Sequence, residues 1–191
     1  MTAKSGKPRS RMETIAWIAL IVFIGYRIWP QGAAAVGVAS ANAPAPAIEL
    51  RTMAGTPISS DSLRGDVVLV NFWATWCPPC RYEMPGFQAV YDRHHTEGFT
   101  VLGISTDGDP ALVNRYLAEH GITYPVAMAT GNVIHAFGGA SVLPRSFLID
   151  RHGRIRNEIT GIFAPVAVEQ AVERLLSDSS SAPAKSRATS R

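Results

Sequence analysis

A buried β-strand that ends just before two closely spaced cysteines is the feature that most limits how this chain can fold. Three residues separate the apolar run Val67–Trp73 from Cys77-Pro78-Pro79-Cys80, which contains both cysteines of the 191-residue chain. A separation of three places both side chains on one face of a helix, within reach of a disulfide bond. The order strand, Cys-x-x-Cys, helix therefore predicts a redox-active dithiol at the start of a helix.

The residues between the cysteines fit this geometry. The first turn of a helix tolerates Pro78 and Pro79 because the N–H that proline lacks would be unpaired there. The free N–H groups and the dipole of the helix N-terminus favour a thiolate at Cys77. We therefore expect Cys77 to be the attacking sulfur and Cys80 the resolving one, in a stiff loop.

A zinc site and an inert structural disulfide are the alternatives for the cysteine pair. A structural zinc site requires four ligands, and the sequence contains no second pair of cysteines. The five histidines have no ligand-like spacing relative to the cysteines: His94, His95, His120, His135 and His152. Adjacent helical residues such as His94 and His95 also point about 100° apart. We therefore favour the redox dithiol and predict no metal site and no cofactor.

Two segments resemble a known family. Residues 71–85, with Trp-Cys-Pro-Pro-Cys at their centre, resemble the active-site segment of the thioredoxin superfamily, and within it the TlpA/ResA-type, CcmG-like, membrane-anchored thiol-disulfide oxidoreductases. Residues 143–153 resemble the part of that fold that carries a cis-proline, followed by a strand and a glycine turn. The resemblance covers approximately residues 48–176. It implies an α/β, thioredoxin-like fold, with a central mixed β-sheet flanked by helices on both faces.

The pattern of apolar residues within this domain predicts the individual elements. Residues 48–63 alternate in character around a glycine and predict an added N-terminal β-hairpin. Strands are predicted at 67–73, 99–105, 126–128, 146–150 and 154–158, and helices at 79–95, 110–120, 133–137 and 164–176. Asp109 is predicted to cap the second of these helices.

The resemblance also implies roles for single residues. It makes Cys77 the nucleophile, Cys80 the resolving thiol, Pro144 the cis-proline facing the disulfide, and Glu83 an acidic residue that tunes the thiols. Glu83 lies three residues after Cys80, so a carboxylate there could exchange a proton with the buried sulfur. From its position alone, Glu83 could equally be an ordinary first-turn acid that the helix dipole favours.

The surface around the dithiol is predicted to bind the substrate. The family implies that Trp76 covers the sulfurs and that the backbone of Leu143 pairs with an extended segment of the substrate. Pro78 and Pro79, between the cysteines, belong to the same predicted surface.

The charge of the chain is unevenly distributed. The formal net charge is +3, but the first 30 residues carry +4 and residues 177–191 carry +2, which leaves −3 for the region between them. The basic ends give no reason to expect nucleic-acid binding by the domain.

The chain ends predict a membrane-attached organisation. Residues 1–13 form a basic N-terminus, and residues 14–30 form an apolar segment that reads as a membrane anchor or a signal segment. Residues 31–47 are predicted to be a flexible linker, 48–176 the domain, and 177–191 a disordered tail. Positive charge before the apolar segment predicts a single-pass protein of the inner (cytoplasmic) membrane with its domain in the periplasm or extracytoplasmic space. If the signal is cleaved, the protein is secreted to the periplasm instead.

The resemblance implies a function in disulfide exchange with other proteins. Its expected partners are protein disulfide substrates, such as apocytochrome c, and a membrane electron donor of the DsbD/CcdA type. A copper-binding assembly factor of the SCO type is an alternative, but such proteins use Cys-x-x-x-Cys with a distant histidine. A peroxiredoxin-like peroxide reductase is a further alternative, but Val70 and Ala74 stand where those enzymes have proline and threonine.

Overall fold

A five-stranded mixed sheet forms the centre of the computed structural model, which describes residues 42–178. In chain order the elements are β1 (Glu49–Arg51), β2 (Pro57–Ser59), β3 (Val67–Trp73), α1 (Pro78–His94), β4 (Phe99–Ser105), α2 (Pro110–Glu119), β5 (Val126–Met128), α3 (Gly131–Ala136), β6 (Arg145–Ile149), β7 (Ile155–Thr160) and α4 (Pro165–Ser177), with a 3-10 turn at His95–Glu97. The strand order is β5-β4-β3-β6-β7. Strands β3, β4 and β5 are parallel, whereas β6 and β7 are each antiparallel to the strand before them in this order.

Helices cover both faces of this sheet, and β3 lies at its centre. Every residue of β3 is buried, as expected of a strand with a packed layer on each side. Leu69 packs in a cluster with Phe87 of α1 and Val168 of α4, whereas its neighbour Val70 packs on the other face with Val133 of α3. The predicted thioredoxin-like architecture is therefore confirmed.

The predicted N-terminal hairpin is present and lies at one edge of the sheet. Strands β1 and β2 form an antiparallel pair of their own, joined by a turn at Gly55. The chain then contacts β5 through a bridge between Thr52 and Ala127 and a hydrogen bond of 2.7 Å from the Met53 N–H to the Val126 carbonyl. The hairpin therefore pairs with part of the edge strand β5, which would otherwise present unpaired backbone groups.

The chain is held in place before the hairpin begins. Pro44 bridges to Arg154, the Ala45 N–H donates to the Gly153 carbonyl at 2.8 Å, and the Ile155 N–H donates to the Ala43 carbonyl at 2.9 Å. These contacts place the last residues of the predicted linker, 31–47, against the turn between β6 and β7. The packed part of the chain therefore begins earlier than residue 48.

Most predicted elements occur close to their predicted bounds. The Asp109 carboxylate accepts a hydrogen bond from the Ala111 N–H at 2.8 Å, which confirms the predicted cap. Helix α3 begins two residues earlier than predicted because the Thr130 hydroxyl caps it, accepting from the Val133 N–H. Pro85 lies inside α1, and the helix continues beyond it.

Part of the predicted organisation lies outside the described residues. This applies to the basic N-terminus (1–13), the anchor or signal segment (14–30), most of the linker and nearly all of the C-terminal tail. Within residues 42–178, no helix is both long enough and apolar enough to cross a membrane.

Candidate active site

The two cysteines are joined in a disulfide at the junction of β3 and α1. The Cys77 and Cys80 sulfurs are bonded, and the two residues are 3% and 0% exposed. Cys77 is the N-cap residue of α1, and its Sγ accepts a hydrogen bond from the Cys80 N–H at 3.3 Å. Pro78 and Pro79 occupy the first helical positions, as predicted. The helix N-terminus therefore supplies a hydrogen-bond donor to Cys77 and a favourable site for negative charge on its sulfur.

The loop that leads into the disulfide is fixed by a buried carboxylate. Asp107 accepts from the Thr75 N–H at 2.9 Å and from the Thr75 hydroxyl at 2.6 Å. The Ser105 hydroxyl, at the end of β4, donates to the same carboxylate at 2.7 Å. The segment after β4 thus holds Thr75, which follows the neighbouring parallel strand β3 and lies two positions before Cys77. The sequence analysis predicted only the helix cap at Asp109, and nothing in the spacing of the residues indicates this contact between Asp107 and Thr75.

Glu83 is a buried residue of α1, and both of its carboxylate oxygens accept a hydrogen bond. Its Oε1 accepts from Asn71 Nδ2 at 2.8 Å, and its Oε2 accepts from the Phe163 N–H at 3.0 Å. Burial raises the pKa of Glu83 to about 7 from 4.5, although the bonds from Phe163 and Asn71 oppose that rise. The alternative of an ordinary first-turn acid is wrong, because Glu83 is completely buried and lies beyond the first turn.

Asn71 connects Glu83 to the second half of the sheet. Its Nδ2 donates to Ser146 Oγ at 3.0 Å as well as to Glu83. Asn71 and Ser146 lie opposite each other on β3 and β6, and both are completely buried. Asn71 Oδ1 is buried and has no hydrogen-bond partner among the described residues. The amide therefore holds the carboxylate from one side while keeping an unused acceptor.

The Leu143–Pro144 peptide bond is cis, as the resemblance implies. Pro144 is buried and Leu143 is half-buried, at the start of β6. The next residue, Arg145, is paired with Glu158 and donates to the Gly139 carbonyl at 2.7 Å. Arg145 is therefore occupied in a structural contact rather than freely solvated.

The residues predicted to bind substrate differ in their exposure. Trp76 is 68% exposed and Pro78 is exposed, whereas Pro79 is half-buried. A further aromatic side chain, Tyr82, is 71% exposed one turn into α1. Trp73, three residues before Trp76, is completely buried in the core. An exposed apolar surface therefore adjoins the buried disulfide.

The chain matches a family model and named relatives. The AhpC/TSA family model matches residues 41–158. The thiol-disulfide oxidoreductase ResA of Geobacillus thermodenitrificans is 30% identical over 166 residues, which cover 86% of this chain and 94% of that protein. The protein of the same name from Bacillus thuringiensis strain Al Hakam is 33% identical over 117 residues, covering 61% of this chain and 68% of that protein.

Solved structures show the same likeness. A thiol:disulfide interchange protein of the thioredoxin family from Chlorobium tepidum TLS superimposes with a TM-score of 0.67 at 38% identity, covering 72% of this chain and 99% of the other. A Chlorobium tepidum protein provisionally named as the thiol:disulfide interchange protein DsbE has a TM-score of 0.66 at 28% identity, with 71% and 97% coverage. These comparisons agree with a Cys-x-x-Cys dithiol at residues 77–80.

Proposed function

Because this chain belongs to the AhpC/TSA family and is a thiol-disulfide oxidoreductase of the ResA and DsbE type, we propose that it reduces protein disulfides outside the cytoplasm. The observation that carries this proposal is the Cys77–Cys80 disulfide, with Cys77 at the N-terminus of α1 and Glu83 buried on the same helix. The helix N-terminus stabilises a thiolate at Cys77, and the Glu83 carboxylate can accept the proton of the Cys80 thiol.

The reaction begins with the protein in its dithiol form. The Cys77 thiolate attacks one sulfur of the substrate disulfide, which forms a mixed disulfide and releases the other substrate sulfur as a thiolate. Cys80 then attacks Cys77 Sγ, which releases the second substrate sulfur and forms the Cys77–Cys80 disulfide. The substrate gains two electrons and two protons, and this protein loses them.

Glu83 is the proposed proton acceptor for Cys80. The two residues are three positions apart on α1 and therefore share a face of the helix. Both are completely buried, so water has little access to the Cys80 thiol. A carboxyl group with a pKa of about 7 is well matched to take a proton near neutral pH. Asn71 and the Phe163 N–H hold this carboxyl group in place in the disulfide form.

The proposed substrate site is the surface beside the disulfide. Trp76 and Pro78 offer exposed apolar contacts, and Leu143 precedes the cis-proline. An extended segment around a substrate cysteine is the class of ligand that suits such a site. Apocytochrome c is a proposed substrate of this class.

The proposed location follows from the N-terminal sequence. Residues 14–30 would anchor the protein in the inner membrane, or act as a cleaved signal, with the domain in the periplasm. In an oxidising compartment a reductant must be reduced again after each cycle. We therefore propose a membrane electron donor of the DsbD/CcdA type.

The reduction potential of the Cys77–Cys80 pair tests the direction of the reaction. The full-length chain would be equilibrated against defined thiol buffers and its free thiols trapped, with the double variant Cys77→Ser/Cys80→Ser as the blank. A value near thioredoxin's, about −270 mV, supports a reductant, whereas one near DsbA's, about −120 mV, contradicts it. The double variant should fail to restore any phenotype of a strain that lacks the gene, and full restoration would overturn the redox function.

A further inference from the structure

Three metal-ligating side chains meet where α1 and α4 pack together. His94 lies at the end of α1, and Glu169 and Glu173 lie one turn apart on one face of α4. One ligand atom from each side chain lies within 4.8 Å of the other two. The disulfide is about 25 Å away along α1, because His94 follows Cys77 by 17 residues. This cluster is therefore separate from the active site.

The imidazole of His94 is placed as in many protein metal sites. Its Nε2 lies 3.7 Å from Glu169 Oε1, and its Nδ1 lies 3.4 Å from Glu97 Oε2. Both ring nitrogens are buried, and neither makes a hydrogen bond within residues 42–178. A histidine that binds a metal through one nitrogen commonly directs the other toward a carboxylate, which fixes the ring. Glu97 stands in that outer position.

We propose that His94, Glu169 and Glu173 bind a Zn²⁺ ion, with water completing the coordination. Imidazole nitrogen together with carboxylate oxygen is a ligand set that zinc accepts, and a site with three protein ligands keeps one open position. Zinc bonds to such ligands are about 2.0–2.2 Å long, so neighbouring ligand atoms around a tetrahedral ion lie about 3.3–3.5 Å apart. His94 Nε2 and Glu169 Oε1 are already near this separation. Glu173 is exposed and can close the remaining distance by rotating its side chain.

The charges around the cluster favour a divalent cation. Glu97, Glu169 and Glu173 bring three carboxylates together, and Arg93 brings one guanidinium, whose Nε lies 2.6 Å from Glu169 Oε1. A carboxylate oxygen has more than one lone pair, so Glu169 Oε1 can accept from Arg93 and still bind the ion. A Zn²⁺ ion would balance the remaining negative charge and join the end of α1 to α4.

Zinc binding to the oxidised protein tests this site. The full-length chain without an affinity tag would be used in its disulfide form, because the reduced cysteines could themselves bind zinc. Titration against a chromophoric zinc chelator should show one ion per chain, and zinc should raise the Tm. His94→Ala and Glu173→Gln should abolish both effects. Glu97→Gln should weaken binding about tenfold, as expected for an outer partner.

The adjacent histidine provides the matched control. His95 stacks on Tyr91 and its Nδ1 contacts the Tyr91 carbonyl at 3.1 Å, so His95→Ala should leave zinc binding unchanged. Glu173 is exposed, so circular dichroism should show Glu173→Gln to be folded, which separates lost ligation from lost structure. Failure of the oxidised wild-type protein to bind zinc would overturn the proposal and leave the cluster as an ion-pair network. Unchanged binding in Glu173→Gln and His94→Ala, or tighter binding of Mg²⁺ than of Zn²⁺, would also overturn it.

Discussion

The Asn71 amide donates a hydrogen bond of 2.8 Å to the Glu83 carboxylate, and this bond joins the central strand directly to the helix that carries the disulfide. Both residues are completely buried, on the side of β3 that faces α1. Because Asn71 is neutral, it cannot share a proton with Glu83 as a second carboxylate would. Glu83 is therefore the only titrating member of this buried pair. The effects of its titration can be measured by changing that one residue.

Glu83 should make the stability of the oxidised protein depend on pH. The pKa of Glu83 is raised to about 7 in the folded protein from 4.5, so the folded state retains a proton in this interval that the unfolded chain releases. The free energy of unfolding should therefore fall by about 3 kcal/mol as pH rises from 4.5 to 7, and level off above that. Urea unfolding at several pH values measures this slope. Glu83→Gln should remove the slope, the exposed control Glu119→Gln should keep it, and a slope that persists in Glu83→Gln would contradict the assignment.

Asp107 should be needed to hold the loop before the dithiol. In Asp107→Asn an amide NH₂ replaces one oxygen, so the side chain can no longer accept all three bonds, from the Thr75 N–H, the Thr75 hydroxyl and the Ser105 hydroxyl. We expect a loss of about 1–3 kcal/mol in the free energy of unfolding and slower disulfide exchange at Cys77. Chemical denaturation and stopped-flow reduction by dithiothreitol measure the two effects. The control Asp109→Asn keeps a good helix cap, and an equal loss in that variant would argue against a specific role for Asp107.

Gly86 should not tolerate a larger side chain. A Cβ atom at Gly86 would lie 2.2 Å from Pro165 Cγ and 2.6 Å from Pro165 Cβ, and the proline ring has no flexible end that could move aside. Gly86→Ala should therefore lower the free energy of unfolding by about 1–3 kcal/mol, as overpacking in a core does. Gly131→Ala is the matched control, since nothing lies within 4 Å of its Cβ position. A stable Gly86→Ala protein would show that α4 can shift relative to α1.

Trp76 should affect the rate of reaction with protein substrates rather than the stability of the fold. Because its side chain is 68% exposed, Trp76→Ala should change the free energy of unfolding by no more than about 0.5 kcal/mol. The variant should react severalfold more slowly with a protein disulfide, since it loses an apolar contact beside the reacting sulfurs. Its rate with a small disulfide such as oxidised glutathione should stay unchanged. An equal fall in both rates would mean that Trp76 acts on the dithiol itself.

The parts of the fold that follow from local patterns could be predicted from the sequence. Strands β3 and β4 have the predicted bounds because each is a run of apolar residues with a clear beginning and end. The dithiol at the start of α1 follows from the spacing of Cys77 and Cys80 and from the tolerance of a first helical turn for proline. These signals lie within a few neighbouring residues.

The contacts that complete the active site could not be predicted in this way. Thr75 binds Asp107 across 32 residues, and the Phe163 N–H binds Glu83 across 80. Such bonds depend on how strands and helices pack. They cannot be predicted from the order of residue types within one segment. The true start of the packed domain could not be predicted for a similar reason. Residues 42–46 have the composition of a linker, yet their backbone groups bond to the β6–β7 turn.

The contact between residues 42–46 and the β6–β7 turn places the start of the described chain at the end of the domain opposite the disulfide. The β6–β7 turn lies beside the first residues of β3, because Val68 pairs with Ile149, whereas the disulfide follows the last residue of β3 about 20 Å away. Helix α4 leads in the same direction as α1, since Pro165 meets Gly86 and Glu169 meets Arg93. Both ends of the described chain, residues 42 and 178, therefore lie at the end of the domain opposite the disulfide. A partner protein that contacts the disulfide therefore meets the end of the domain opposite residues 42 and 178.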